Sequence, residues 1–242
     1  MQLAPQKYIT KVIEKYYLTE NEKYLLVKLE LLEENNTINF VAGQYVSVKI
    51  NELGERRSYS IASTPDVDHA VSLVVEVVPG GKGSEFLSKV EIGDEVEILA
   101  PLGQFVIESG NNNLLLVATG SGIVPIYSII CDLLINQQNS RQIRLHWGMR
   151  REEDLFWFDN LGRLAEEHPN FVFDVVLSKP SLEWGLCRGY VQDCMRRDLN
   201  QGVLRENWMA YVCGNPQMVE DVIETLMELG LTKDKIRQEK YT

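Results

Sequence analysis

Along the first hundred residues, apolar positions come in short runs of extended character, each closed by polar or Gly/Pro punctuation. The pattern predicts β-strands over residues 8–14, 24–31, 45–50, 58–61, 70–78 and 95–99. Breaks such as Glu33-Glu34-Asn35-Asn36 and Pro79-Gly80-Gly81 separate them. Many short strands with little helix between them point to a small antiparallel barrel.

After Ser109-Gly110-Asn111-Asn112-Asn113 the pattern changes, and continuous apolar runs alternate with segments of helical period. Runs at 114–118, 143–147, 171–177 and 210–213 lack polar alternation, as parallel strands covered on both faces do. Between and after them, 125–136, 154–167, 189–199 and 216–229 read as helices. In the last, Val219, Val222, Ile223, Leu226 and Met227 form one apolar stripe, with Pro216 in the first turn and Gly230 at the end. The chain therefore reads as two domains, an antiparallel β-barrel over 1–108 and an α/β domain with a parallel sheet over 109–242.

Composition changes this picture little and excludes several functions. Hydrophobic residues are 45% and charged residues 24% of 242, the balance of a folded globular chain rather than a disordered one. The net charge of −11 disfavours general nucleic-acid binding and docking on an anionic membrane, both of which need a basic footprint. No apolar run approaches the roughly 20 residues that span a bilayer, and the N-terminus has no signal-peptide core. Cys131, Cys187, Cys194 and Cys213, at separations of 56, 7 and 19, fit neither zinc nor iron–sulfur spacing, and His69, His146 and His168 are far apart. No metal site is expected. Reduced thiols of a cytoplasmic protein are the reading.

The strongest local signal is Thr119-Gly120-Ser121-Gly122-Ile123-Val124-Pro125, where a buried strand runs into a helix. Glycines there let a phosphate approach the backbone, and the helix N-terminus offers unpaired N–H groups. A plain strand-to-helix turn has the same appearance. Pro125 stands where a third glycine is usual, and the next strand ends in Trp147-Gly148-Met149-Arg150 with no acid about 20 residues after the loop to hold a ribose. An ordinary Rossmann dehydrogenase is thereby disfavoured. In the first half, Arg57-Ser58-Tyr59-Ser60 puts a guanidinium and an aromatic ring on one face of a strand and two hydroxyls on the other. Pro79-Gly80-Gly81-Lys82-Gly83-Ser84 is a second loop suited to oxyanions, or a flexible hairpin.

Arg57-Ser58-Tyr59-Ser60, Gly81-Lys82-Gly83-Ser84, Pro101-Leu102-Gly103-Gln104-Phe105, Thr119 to Pro125 and Cys213-Gly214-Asn215-Pro216-Gln217-Met218 occur in an order that resembles the ferredoxin-NADP reductase superfamily. The resemblance covers nearly the whole chain. It implies an FAD-binding antiparallel barrel followed by an NAD(P)-binding domain of five parallel strands, with hydride passing between nicotinamide and flavin in the cleft between them. By the same resemblance, Arg57 pairs with the FAD phosphate, Tyr59 stacks on the isoalloxazine ring, and Ser60 hydrogen-bonds near its N5. Ser58 and Val77 belong to that flavin site, and Gly81, Lys82, Gly83 and Ser84 to the pyrophosphate loop. Thr119, Gly120, Ser121 and Gly122 face the NAD(P) pyrophosphate, Cys213 and Gly214 lie beside the nicotinamide, and Gly148, Arg150, Ser178 and Lys179 complete the coenzyme site. Lys179 and Arg188 are the candidate cations for a 2′-phosphate. The ending Gln238-Glu239-Lys240-Tyr241-Thr242 is similar to the family's acidic-then-aromatic terminus, in which the aromatic covers the flavin; a frayed tail is the other reading. Ser60, Cys213, Glu239 and Tyr241 are thus the residues implied in the reaction, although Cys213 also reads as a buried strand-end thiol.

The chain has no C-x-x-x-x-C-x-x-C run for a plant-type iron–sulfur cluster, so its electrons need another destination. One expectation is a reductase that passes electrons from NAD(P)H through FAD to a separate protein, such as ferredoxin, flavodoxin or an oxygenase component. A second is an NAD(P)H:flavin reductase using free flavin as substrate. A third is a regulatory subunit that binds nucleotide without turnover.

Overall fold

In a computed structural model, residues 4–33, 36–198 and 207–241 are described. Glu34 and Asn35 of the expected polar break, and Leu199 of the expected third helix, lie outside them. The chain divides into two compact units, one running to Ile107 and including Tyr127–Asn136, the other comprising Glu108–Ile126 and the chain from Gln137 on.

In the first unit, β1 (Gln6–Tyr17), β2 (Tyr24–Leu31), β3 (Tyr45–Lys49), β4 (Arg56–Ser60), β5 (Ala70–Glu76) and β6 (Glu95–Leu102) form one sheet in the order β4-β3-β6-β1-β2-β5. Every pairing in it is antiparallel. The two edges meet where Ile61 bridges Leu73 and Ala62 N–H donates to Ser72 O at 2.7 Å, which closes the barrel. Alternate residues point inward, so that Val46, Val48, Val71, Leu73, Val75 and Ile98 are all fully buried in its core. Full burial of such a side chain contributes about 1.5–3 kcal/mol. Helix α1 (Lys82–Lys89) follows the turn after β5.

Several strands differ in extent from the apolar pattern. β1 is longer at both ends because it pairs with β6 from Gln6↔Ala100 and with β2 as far as Tyr17↔Leu25, and a register shift between Val12 and Glu14 lets it serve both. β4 takes in Arg56 and Arg57, which face Lys49 and Val48 across the ladder, while Ile61 contributes only its bridge. β5 stops at Glu76, leaving Val77 and Val78 in the turn.

The second unit carries β7 (Asn113–Thr119), β8 (Ile143–Met149), β9 (Phe171–Leu177), β10 (Cys187–Arg188), β11 (Trp208–Gly214) and β12 (Ile236–Lys240) as a parallel sheet in the order β10-β9-β8-β7-β11-β12. The expected number of strands was five; among the described residues the two-residue β10 adds a sixth. Leu114 to Ala118 in central β7 are each at most 1% exposed, which is why that run shows no polar alternation.

The helices are α2 (Ile123–Cys131), α3 (Phe158–Glu167), α4 (Val191–Asp198) and α5 (Pro216–Glu228). α2 begins before Pro125, which sits in its first turn where a missing N–H is harmless, and Asp132–Asn136 continue as a π-helical turn. From Tyr127 on, this segment belongs to the first unit, where Ser128 Oγ donates to Ser63 O at 2.7 Å. The expected helix from residue 154 starts only at Phe158. Trp157 is left-handed at φ 61°, and Glu152–Asp154 form a separate 3-10 turn. In α5 the stripe buries Val219, Val222 and Leu226 completely, whereas Met227 lies at its edge and is half exposed.

Candidate cofactor sites

In the first unit, two sequence-predicted segments, Arg57–Ser60 and Gly81–Ser84, meet at the start of α1. Its N-cap is Gly81, which has no side chain to cap the first turn, so the turn's leading N–H groups face outward with a positive dipole end. Beside it, Gly83 is buried against β4: a Cβ there would collide with the Tyr59 hydroxyl and come within 2.8 Å of Arg57 Cγ. Arg57 and Tyr59 therefore share a face, and glycine is the residue that lets helix and strand approach this closely. Burial pushes the Tyr59 phenol up to about 12 against the lowering effect of Arg57, so the hydroxyl stays a donor at any physiological pH. Arg57 is exposed and donates to the carbonyl of Arg56 at 2.7 Å.

The remaining predicted flavin residues fall around this point with different tasks. Ser58 is exposed, and Ser60 is buried opposite Tyr45 of β3. The Ser84 hydroxyl is turned back into its own loop, accepting from Val78 N–H at 3.2 Å and donating to Gly81 O at 3.0 Å, so it shapes the turn and only its backbone faces the helix end. Lys82 Nζ pairs with Glu55 at 2.9 Å. Val77 lines a cavity of about 570 Å³ together with Tyr17, Pro79, Glu85 and Ser88. Tyr17 and Ser88 were not singled out by the sequence, because nothing marks an aromatic at a strand end or a helical serine as facing a cavity.

In the second unit, Gly120–Gly122 form a 3-10 turn between β7 and α2, with no side-chain cap on the turn. A Cβ on Gly122 would overlap the carbonyl oxygen of Cys213, and one on Gly214 would overlap Thr119 Oγ1, so these glycines let the loop lie against the end of β11. Thr119 Oγ1 is buried with no hydrogen-bond partner among the described residues. Trp147 Nε1 donates to Gly120 O at 3.2 Å and fixes the turn from below; it was missed because its run reads only as a buried strand. Gly148 packs its Cα side against the Thr119 methyl.

The C-terminal segment is not a frayed tail as far as Tyr241. β12 adds to β11 with Cys213↔Glu239 and Gly214↔Lys240 in register, and Tyr241 N–H donates to Gly214 O at 3.0 Å. Burial first, then the Glu239 carboxylate, hold the Cys213 thiol well above its usual value, partly offset by a hydrogen bond with Tyr241. Cys213 is thus a neutral, fully buried thiol. Burial pushes the Glu239 carboxyl up to about 7, and its Oε2 has no hydrogen-bond partner among the described residues. At the same end of the sheet, Ser178 N–H donates to Met149 O at 3.0 Å and Lys179 N–H to Arg150 O at 2.8 Å, which brings exposed Arg150, Ser178 and Lys179 together. Arg188 is not free to join them, since its guanidinium donates to Leu182 O at 2.9 Å and Trp184 O at 2.6 Å.

The family model for the oxidoreductase FAD-binding domain matches residues 10–107, and that for the oxidoreductase NAD-binding domain matches 116–224. The chain is 33% identical over 210 residues to the reductase subunit of aromatic O-demethylase from Amycolatopsis sp. (strain ATCC 39116 / 75iv2), covering 84% of this chain and 61% of that protein. It is 33% identical over 206 residues to the reductase component DmpP of phenol 2-monooxygenase from Pseudomonas sp. (strain CF600), covering 84% and 58%. The chain therefore spans less than two thirds of the length of these relatives. The solved cytochrome P450 reductase GcoB of Amycolatopsis superimposes with a TM-score of 0.89 at 30% identity, over 100% of this chain and 71% of that one. A ferredoxin NADP+ reductase from Neisseria gonorrhoeae with bound FAD and NADP shares the fold, with a TM-score of 0.81 at 22% identity over 99% of both chains.

Proposed function

The chain belongs to the ferredoxin-NADP reductase superfamily of FAD- and NAD-binding oxidoreductases, and from that premise we propose that it carries electrons from NAD(P)H through FAD to a separate protein acceptor, with an oxygenase component foremost. The observation that carries this reading is the Gly83 cradle, where an uncapped helix N-terminus, a guanidinium and a neutral phenol meet around a position with no room for a Cβ. The relatives named as reductase components of an O-demethylase and a phenol monooxygenase favour the oxygenase component over ferredoxin or flavodoxin.

Bound FAD supplies what side chains lack, a group that takes electrons in pairs and gives them up singly. The chain supplies position and field. Arg57 and the α1 N–H groups hold phosphate charge, Tyr59 offers its ring and hydroxyl, and Ser60 gives a buried hydroxyl on the strand's other face. In the second unit the Gly120–Gly122 turn and the orphaned Thr119 Oγ1 receive the coenzyme pyrophosphate. Cys213 remains protonated, so it packs against nicotinamide rather than attacking it, and Glu239 holds a proton at its carboxyl below about pH 7. A cytoplasmic setting, where NAD(P)H is supplied and thiols stay reduced, suits this role.

The test is the visible spectrum of the purified protein before and after NADH or NADPH. About one FAD per chain, bleached by coenzyme, is expected; weakly held FAD points to the flavin reductase, and coloured protein that never bleaches to the regulatory subunit. Arg57→Ala is expected to weaken FAD binding about ten- to a hundredfold, the worth of one charge-assisted hydrogen bond. Equal affinity for FAD in wild type and variant removes Arg57 from the site.

Coenzyme choice rests on Lys179, because Arg188 is spent on its own loop. Both coenzymes are expected to work, since a lysine lacks the bidentate fork of arginine. Lys179→Ala should raise the Michaelis constant for NADPH and spare NADH. An equal effect on both coenzymes contradicts a 2′-phosphate contact.

A further inference from the structure

Away from the cofactor sites, a polar cluster is enclosed between α4 and the β8-β9-β10 side of the second unit's sheet. Arg144 Nη1 lies 2.7 Å from Asp198 and 3.7 Å from Asp174. His146 sits beside them in register with Asp174 and is fully buried. Its ring nitrogens are 3.7 Å from Asp174 and 3.7 Å from Asp198, too far to hydrogen-bond, and both lack a partner among the described residues. A buried imidazole with neither nitrogen satisfied is rare and calls for a ligand. Two cysteines complete the surroundings. The donor atoms of His146, Cys194 and Asp198 all lie within 4.8 Å of one another, and so do those of Asp174, Cys187 and Cys194.

We propose that this cluster binds a zinc-class divalent cation, with His146, Cys187, Cys194 and Asp198 as its four ligands. Imidazole, thiolate and carboxylate are the donors such an ion takes, and a tetrahedral site needs donors about 3.3–3.8 Å apart, so the His146–Cys194–Asp198 triad draws in by up to about 1.5 Å. Cys187 belongs to the second triad and closes on the ion through the Cys194 that the two triads share. Cys194 and Asp198 lie four apart on α4 and so share one helix face. When Asp198 turns to the ion, Arg144 keeps Asp174 as its partner. The site's charge also balances. Two thiolates and one carboxylate exceed the ion's charge by one, and Arg197, whose Nη2 donates to Cys187 Sγ at 3.4 Å, offsets the excess. Binding breaks two S–H bonds and forms two metal–sulfur bonds, releasing two protons with no change of oxidation state. A cavity of about 550 Å³ bordered by Asp174, Cys187 and Arg197 gives an ion a way to the thiol side. Linear spacing hides this arrangement, because the four ligands come from β8, β10 and α4, which meet only through the fold.

The experiment uses the full chain, reduced and stripped with a chelator, and titrates it with Zn²⁺ against a chromophoric chelator and separately with Co²⁺. One zinc per chain is expected, together with a thiolate-bound, four-coordinate cobalt spectrum at wavelengths beyond the flavin bands. Zinc should also raise the melting temperature of the wild type. Cys187→Ser, at a half-buried edge position that tolerates the change, should weaken zinc by about a hundredfold or more, at or above the largest effect of losing an outer partner. Asp198→Asn should do the same. A reduced wild type that takes up no zinc, or a Cys187→Ser variant with wild-type zinc affinity, overturns the proposal. So does a Cys187–Cys194 disulfide in the purified protein whose reduction yields no metal affinity. None of these readouts depends on FAD or on turnover, so the proposal stands or falls apart from the flavin reading.

Discussion

Gly122→Ala is expected to weaken NAD⁺ and NADP⁺ binding by at least tenfold and to destabilise the protein, while leaving FAD content unchanged. The added methyl overlaps the carbonyl oxygen of Cys213 and comes within 2.7 Å of its carbon and 2.8 Å of Gly214 Cα. These are backbone atoms of a strand held on both sides, since Cys213 pairs with Ala118 of β7 and with Glu239 of β12. They cannot swing aside as a flexible side chain would, so the Gly120–Gly122 turn must move instead. Overpacking of this kind costs about 1–3 kcal/mol, and a turn displaced from its ligand loses about tenfold in affinity for each 1.4 kcal/mol. Thermal unfolding and titration with each nucleotide measure the two effects. FAD should be retained because the Gly83 cradle belongs to the other unit. A variant with unaltered melting temperature and nucleotide affinity refutes the assignment of this loop.

The glycines behind that expectation stand out in the sequence at a strand-to-helix junction, where a plain turn has the same appearance, and only the structure shows how closely Gly122 approaches Cys213 and Gly214. The parallel strands were legible because a strand covered on both faces shows an unbroken apolar run, as Leu114 to Ala118 does. β12 carried no such signal. It is an edge strand with one neighbour, so Arg237, Gln238, Glu239 and Lys240 are polar, and only the resemblance marked them as more than a tail. β10 was invisible because two residues make no period. The late start of α3 turns on one left-handed residue, Trp157, whose conformation no apolar pattern reports. Within the proposed flavin site the sequence put Arg57 and Tyr59 on one strand face and the resemblance added Gly83 and Ser84, but neither could show that the Ser84 hydroxyl is directed back at Val78 and Gly81. The His146 cluster was illegible altogether. Its histidine and cysteines were read as too far apart in sequence for a metal site and its acids were not singled out, and only the pairing of β8 with β9 and the position of α4 bring them together.

Glu239→Gln should make the protein more stable above neutral pH and flatten its stability across the acidic range. Burial carries the carboxyl from its ordinary 4.5 to about 7, with Oε2 enclosed and unpaired. The unfolded chain releases this proton near pH 4.5 and the folded chain near pH 7, so between these values the folded state holds more protons. Stability from this group therefore falls as pH rises through the window, is fully lost above it and is restored below pH 4.5. At 1.36 kcal/mol per pH unit the cost at pH 8 is on the order of 3 kcal/mol, an upper figure because the side chain is only partly enclosed. Glutamine keeps the shape and removes the charge, but leaves an amide that finds no more partners than the acid did, which returns about 1 kcal/mol. The net expectation is a gain of about 2 kcal/mol at pH 8 and none, or a slight loss, at pH 4. Urea midpoints measured for both proteins across that range decide it, with the slope of the transition serving to show that only stability has changed. Curves that run parallel from pH 4 to pH 8 mean that Glu239 titrates alike in the folded and unfolded chain, as a solvated carboxyl does. In that case it neither presses on the Cys213 thiol nor holds a proton at the end of β11.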